Sequence, residues 1–144
     1  MITAIIFDLD MCIFDTTSLG PRFVDPVLDP LRESSMPNEV KEEIERAFWT
    51  IPLEDVFKRF RIPSVVEQSM RAMQRSLVAP DWVRTYGDEQ CLLSMSAYRV
   101  LVTSGYQSWQ DSKIQQLGVA NLFAEIIVDA IDDPNLRKGK KTIF

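Results

Sequence analysis

The chain has 144 residues, of which 46% are hydrophobic and 26% charged, with a formal net charge of −5. That length holds one domain plus a modest insertion, and the composition is that of an ordinary soluble globular protein. The acidic balance argues against a nucleic-acid surface, no apolar run reaches the ~20 residues of a membrane span, and no signal peptide precedes the first apolar run. A cytoplasmic protein without nucleic-acid or membrane partners is therefore expected.

Residues 2–7 form a short apolar run that reads as a fully buried strand of a parallel sheet, followed at once by Asp8-Leu9-Asp10. Open α/β sheets place their ligand chemistry just beyond the carboxyl ends of the strands. Two carboxylates one residue apart are costly there unless a cation or a proton is shared. Residues 18–33 carry Pro21, Pro26 and Pro30 and read as a loop or broken helix. Asn38 then serves as the N-cap of a helix with Val40, Ile44, Ala47 and Phe48 on one face. Pro52 opens a second helix whose stripe is Leu53, Val56, Phe57 and Phe60, stopped by Pro63. Ser64 and Glu67 form a capping box for a third, with Val66, Met70, Met73 and Leu77 as its buried face. An all-helical module over 18–80 is thus inserted into an α/β core made of 1–17 and 81–144.

Beyond Pro80 the rhythm changes. Gly87-Asp88 opens a short helix through Leu93, and 98–102 is a second apolar strand ending in Thr103-Ser104-Gly105. The next helix turns Ile114 and Leu117 inward and closes at Gly118, and 123–128 is a third strand. Residues 129–134 read as a turn, and 135–144, with Lys138, Lys140 and Lys141, as the start of a helix. Alternating strands and helices of this kind make a doubly wound, Rossmann-like parallel sheet with right-handed crossovers.

The chain contains no histidine, which removes Ser-His-Asp and Cys-His machinery and every His-ligated zinc site. Cys12 and Cys91 form no C-x-x-C pair and read as free thiols. Carboxylates, hydroxyls, lysines and amides remain, and the strand ends offer them: Asp8 and Asp10, Thr103-Ser104-Gly105, and the lysine cluster. One aspartate can attack phosphorus while a second moves the proton. A threonine hydroxyl with amides at a helix N-terminus suits phosphate oxygens, and a lysine offsets the crowded negative charge.

With these motifs in this order, the chain resembles the haloacid dehalogenase-like superfamily, in its phosphatase-rich branch with a helical cap. Phe7-Asp8-Leu9-Asp10 with Phe14-Asp15-Thr16 looks like the first family motif, Leu101 to Tyr106 like the second, and Lys138-Gly139-Lys140-Lys141 with Phe144 like the third. The resemblance implies a Mg²⁺-dependent phosphatase acting on a small phosphorylated metabolite. In it Asp8 is the nucleophile and a metal ligand, and Asp10 is the general acid/base that lends the metal its backbone carbonyl. Thr103, Ser104 and Gly105 bind phosphate. The stabilising lysine is Lys140, which follows a glycine, or Lys138, which has the more usual separation from Phe144; the reading leans to Lys140. Family dehalogenases lack an acid at the position of Asp10, which favours phosphatase chemistry.

Met11-Cys12 departs from the Gly-Thr of most relatives. The family's fourth motif, a further pair of acids, is also missing before Phe144, with Asp129, Asp132 and Asp133 as nominal substitutes. The chain thus reads as an ordered part of a longer protein, or as one completed by another chain, with an edge at 2–7 that is either open or covered by a neighbouring chain, no well-formed Mg²⁺ site and no phosphatase activity by itself. The alternatives are an inactive fold of the same family or a non-catalytic phosphoacceptor or binding module with Asp129 as its acceptor. Composition leaves the oligomeric state open.

Overall fold

The computed structural model describes residues 3–133 and 135–139 and contains a three-stranded parallel sheet in the order β1-β2-β3. The strands are β1 (Ala4–Phe7), β2 (Tyr98–Gly105) and β3 (Glu125–Ala130). Phe7 lies opposite Leu101 in the β1/β2 register, and Thr103 lies opposite Val128 in β2/β3. All three strands run the same way, so the segments after Phe7, the last residues of β2 and the end of β3 gather at one end of the sheet.

The α/β class and the open edge at β1 are as expected, although the apolar run by itself reads as a fully buried strand. β1 pairs only with β2 among the described residues, so one edge is open, and Ile6 is 45% exposed. An apolar run reports a preference for burial; a missing neighbour withholds it. The buried layer lies instead over β2, where Leu101, Val102 and Thr103 are all at or below 1% exposure. Phe7 and Phe123 meet with ring centroids 5.8 Å apart.

Two compact units divide the chain: one holds everything up to Pro21 and from Leu77 onward, the other is Arg22–Ser76. The second is all-helical and lies inside the 18–80 span read from sequence. It contains α1 (Asp25–Arg32), α2 (Asn38–Phe48), α3 (Leu53–Arg59) and α4 (Ser64–Ser76). The region expected to be a loop or broken helix forms α1 despite two prolines. Pro26 occupies the first turn, where no intrahelical N–H is needed, and Pro30 costs a single bond. Val27, Leu28 and Leu31 offset that cost by burying completely as α1 packs on α4.

The helix starts also differ in detail. Pro37, not Asn38, is the N-cap of α2, and Glu67 pairs with Arg71 at 2.8 Å rather than completing a capping box. Arg71 also pairs with Glu54 and lies 4.5 Å above the ring of Phe57. Arg32 gathers Asp25, Asp29 and Glu45 around one guanidinium. Met73, read as core, is 40% exposed, because the α4 face is already filled by Val66 and Met70. Among the described residues no helix is long and apolar enough to cross a membrane.

Candidate active site

The end of β1 runs into a tight turn that sets both acids. The Leu9 carbonyl accepts the amides of Cys12, Ile13 and Phe14, at 2.8 Å for Phe14, and the Leu9 and Phe14 side chains are fully buried beneath. These two anchors hold Asp8 and Asp10 outward on either side of Leu9. Asp8 is exposed and its Oδ1 accepts the Leu9 amide at 2.8 Å, which fixes the carboxylate's rotation. The turn forces Met11 to a φ of 58°, the left-handed region, with its side chain 75% exposed.

That conformation costs a non-glycine residue roughly 1–2 kcal/mol, and glycine's extra chain entropy takes back part of any relief. We expect Met11→Gly to raise unfolding stability by about 0.5–1 kcal/mol, since an exposed side chain loses little burial. Urea titration measures it; an unchanged or lower midpoint would show that Met11 makes a compensating contact.

Asp15 closes the turn and starts the next one. Its carboxylate accepts the amide and hydroxyl of Thr17 and the Arg84 guanidinium, the last at 3.2 Å. The Asp15 amide also donates to the Arg84 carbonyl, and the Tyr86 amide to that of Ile13. The chain therefore leaves the α/β unit and returns to it at adjacent, hydrogen-bonded points. The Thr17 hydrogen bond, opposed by burial and aided by Arg84, holds the Asp15 carboxyl below its ordinary value.

At the end of β2, Thr103 is 1% exposed and its hydroxyl donates to Gln110 Oε1 at 3.1 Å. Gln110 lies on α5 (Gln107–Leu117), and its Nε2 donates to the Ser104 carbonyl at 3.0 Å. A side chain at Gly105 would collide with Gln110, its Cβ falling 2.2 Å from Nε2. Any larger residue at 105 would have to displace the Gln110 side chain from its bond to the Ser104 carbonyl. The strand continues through Gly105 and the helix begins only at Gln107, whose amide is taken by Asp132 at 3.0 Å. Ser104 and Gly105 therefore lie at the end of β2, paired with β3, just ahead of the helix.

One turn along α5 from Gln110 is Lys113, a residue the sequence reading left out of the site. Its side chain is 1% exposed, and Nζ bonds Asp10 Oδ1 at 2.5 Å. Nζ also lies 5.5 Å from the centroid of Phe14 and 5.0 Å from that of Trp109. Burial pushes the ammonium below the usual lysine range, against the pull of Asp10 and Asp8. Helix α5 thus brings Thr103 and Asp10 under one polar pair, Gln110 and Lys113, spaced three apart.

Asp129 is committed elsewhere. Its Oδ1 accepts the amides of Lys138 and Gly139 at 2.7 and 2.9 Å, and Oδ2 accepts the Ser104 hydroxyl at 3.2 Å. It belongs to β3 and is 4% exposed, so it is neither part of a surface turn nor an accessible phosphoacceptor. Asp132 and Asp133 likewise accept backbone amides, of Gln107 and Asn135. Gly139, at φ 79°, lets two successive amides converge on the one Asp129 oxygen.

Burial pushes the Asp129 carboxyl up, but the amides of Gly139 and Lys138, the Ser104 hydroxyl and Arg137 outweigh it and hold it below the ordinary 3.8. A depressed folded-state value means stability that is present above about pH 4 and lost as pH falls through the folded value. We expect the stability of the wild type to decline below pH 4, and the decline to be shallower in Asp129→Asn. Urea midpoints at pH 2, 3, 4 and 6 test this; identical slopes would remove Asp129 as a cause. Lys138 is exposed and is held through its backbone, and Lys140 lies outside the described residues.

The oxygen donors fit Mg²⁺ in kind, since Asp8 offers a carboxylate and Asp10 a backbone carbonyl at the exposed turn. Among the described residues no group of three or more Asp, Glu, Cys or His side chains could hold a metal ion.

A family model described as haloacid dehalogenase-like hydrolase matches residues 5–134. A haloacid dehalogenase-like family hydrolase from Streptococcus pneumoniae superposes with a TM-score of 0.60 at 23% identity, covering 92% of this chain and 64% of its own. A haloacid dehalogenase-superfamily hydrolase of subfamily IA from Geobacter sulfurreducens gives 0.55 at 18% identity, covering 92% and 66%. The chain thus spans about 65% of the length of these structures. No curated protein matches its sequence.

Proposed function

The chain belongs to the haloacid dehalogenase-like hydrolase family, and from that premise we propose that it serves a Mg²⁺-dependent phosphatase acting on a small phosphorylated metabolite. The observation that carries this reading is the second acid. Asp10 stands two residues after Asp8, half-exposed, with its carboxylate held by a buried lysine. A halide leaves without a proton, so carbon–halogen cleavage has no use for a general acid at that place. The oxygen leaving a phosphate ester needs a proton in the transition state.

In this mechanism an Asp8 carboxylate oxygen attacks phosphorus and the phosphorus–ester oxygen bond breaks, with Asp10, entering the step as the neutral acid protonated on the oxygen that Lys113 does not hold, giving that proton to the departing oxygen. Water then attacks phosphorus of the aspartyl-phosphate and gives its proton to Asp10. The phosphorus–oxygen bond to Asp8 breaks, releasing phosphate and restoring both acids. Thr103 serves phosphate binding by turning its hydroxyl proton from Gln110 Oε1 to a phosphate oxygen. Ser104 and Gly105 lie beside it at the strand end, and Lys138 or Lys140 offsets charge on the phosphorylated intermediate. Mg²⁺, held by the Asp8 carboxylate and the Asp10 carbonyl, supplies Lewis-acid polarisation of the phosphoryl group when bound. The helical unit Arg22–Ser76 is the substrate-selecting cap in this reading.

Phosphate release from p-nitrophenyl phosphate and halide release from chloroacetate, each with Mg²⁺ and with EDTA, test the proposal. Both the 144-residue chain and any longer gene product that carries it should be assayed. Mg²⁺-dependent phosphate release without halide release is expected. Halide without phosphate would assign dehalogenation, and neither product from either form would assign a non-catalytic role.

A further inference from the structure

We propose that Lys113 is a positioning residue that sets the orientation of Asp10 for proton transfer, an inference that rests on the phosphatase reading above. Lysine is among the residues least often buried, and it pays both desolvation and side-chain entropy when it is. Here the whole side chain is enclosed, at 1% exposure, and its single charged end meets Asp10 Oδ1 at 2.5 Å. The two residues are 103 positions apart in sequence and come from different elements. Their meeting is a product of the packing of α5 on the sheet, with no local component.

The surroundings of Nζ narrow what it can do. The rings of Phe14 and Trp109 lie 5.5 and 5.0 Å from it, favourable to a cation through their faces and unable to accept a strong hydrogen bond. Phe14 is fully buried and Trp109 nearly so, which confines the ammonium on those sides. Asp10 is therefore the strong acceptor toward which it is directed. On the other side of the pair, the Asp10 side chain keeps 37% of its surface. Oδ1 is tied inward, and the carboxylate is left to meet substrate with its rotation fixed.

An acid or base gains most when its reacting oxygen is held near the geometry of transfer, and a misplacement of about 1 Å can cost ~10²-fold in rate. Lys113 makes its hydrogen bond to Asp10, and Asp8 feels its charge only at longer range, so its main effect is exerted through Asp10. Its removal should lower kcat while leaving KM nearly unchanged. The loss should also grow as the leaving group becomes a poorer one, because a poor leaving group depends more on the proton that Asp10 delivers. A purely structural lysine would lower the amount of folded protein and reduce turnover of all substrates equally.

The test uses whichever form of the protein releases phosphate, and compares wild type, Lys113→Met and Lys113→Arg on p-nitrophenyl phosphate and phenyl phosphate. Methionine preserves the buried stem without the charge; arginine restores a donor. Thermal unfolding monitors the folded fraction of each. We expect Lys113→Met to lose about 10²-fold in kcat on phenyl phosphate, less on p-nitrophenyl phosphate, with KM changed by less than about twofold, and Lys113→Arg to recover part of the loss. In a folded Lys113→Met protein, an unchanged kcat, an equal loss on both substrates or a loss confined to KM would overturn the positioning role while leaving the phosphatase reading in place. Should Lys113→Met fail to fold, a folded Lys113→Arg protein decides by the same criteria, a kcat loss that grows on phenyl phosphate supporting the role and wild-type kinetics on both esters overturning it. A wild type that releases no phosphate in any form would overturn the phosphatase reading and, with it, this proposal.

Discussion

Asp8→Asn is expected to remove phosphate release altogether, within the detection limit of the assay. An amide is a poor nucleophile and a poorer metal ligand than a carboxylate, so both proposed contributions of Asp8 disappear with one atom exchanged. The fold should tolerate the change. Asp8 is exposed, and its Oδ1 accepts the Leu9 amide, which an asparagine oxygen can also accept. Thermal unfolding within a few degrees of wild type, together with lost turnover, is the expected pair of results. Incubation with a phosphoryl donor followed by acid quenching and mass spectrometry should show a phosphorylated wild type and an unmodified variant. An Asp8→Asn protein that turns over normally would move the nucleophile elsewhere, and the structure offers no accessible substitute in Asp129, which is enclosed by three hydrogen bonds.

Asp10→Asn is the second large effect, with a fall in kcat of roughly 10²–10⁴-fold, the range of a lost general acid/base. The loss should be greatest on esters with poor leaving groups and smallest on p-nitrophenyl phosphate, whose leaving oxygen needs little help. The phosphorylated intermediate should also persist longer, since the water that hydrolyses it loses its base. Stability carries a separate signal. Lys113 is buried against Asp10, and removing the Asp10 charge leaves its ammonium with a neutral amide in an apolar enclosure. Breaking one side of a fully buried pair costs about 3–5 kcal/mol, and the half-exposure of Asp10 lowers the figure here. The double variant Asp10→Asn with Lys113→Met should therefore be more stable than Asp10→Asn alone. Equal kinetics on both esters, with turnover near wild type, would show that Asp10 is a structural partner of Lys113 and nothing more.

Local chemistry made several elements readable along the chain. The apolar run before Asp8, the short helix opened by Gly87-Asp88 and the glycine ending α5 each act over a few residues. Gly118 takes φ 65° at the helix C-terminus, as a glycine in that place does. The strands β2 and β3 were likewise visible, although each extends further than its apolar core suggests, to Gly105 and Ala130. Backbone pairing between them carries the polar ends along. The failures share a cause. Pro30 sits inside α1 because buried contacts outweigh one lost hydrogen bond, and β1 is half-exposed because burial depends on a neighbour rather than on the strand's own residues.

By itself, the sequence determined which residue types reach the strand ends: Asp8 and Asp10 after β1, Thr103 to Gly105 at the end of β2. It did so because a strand's end and the turn after it are decided by near neighbours. Only the tertiary structure decided what those groups touch. Gln110 and Lys113 lie on a helix whose buried face is partly polar, so no amphipathic pattern marks them as inward; their three-residue spacing beside Trp109 and Ile114 was the one available sign. Asp129 read as a turn residue because its partners, the amides of Lys138 and Gly139 and the hydroxyl of Ser104, come from separate stretches of chain. A charged side chain can be buried only where a distant partner meets it, and that meeting is set by how the helix packs on the sheet.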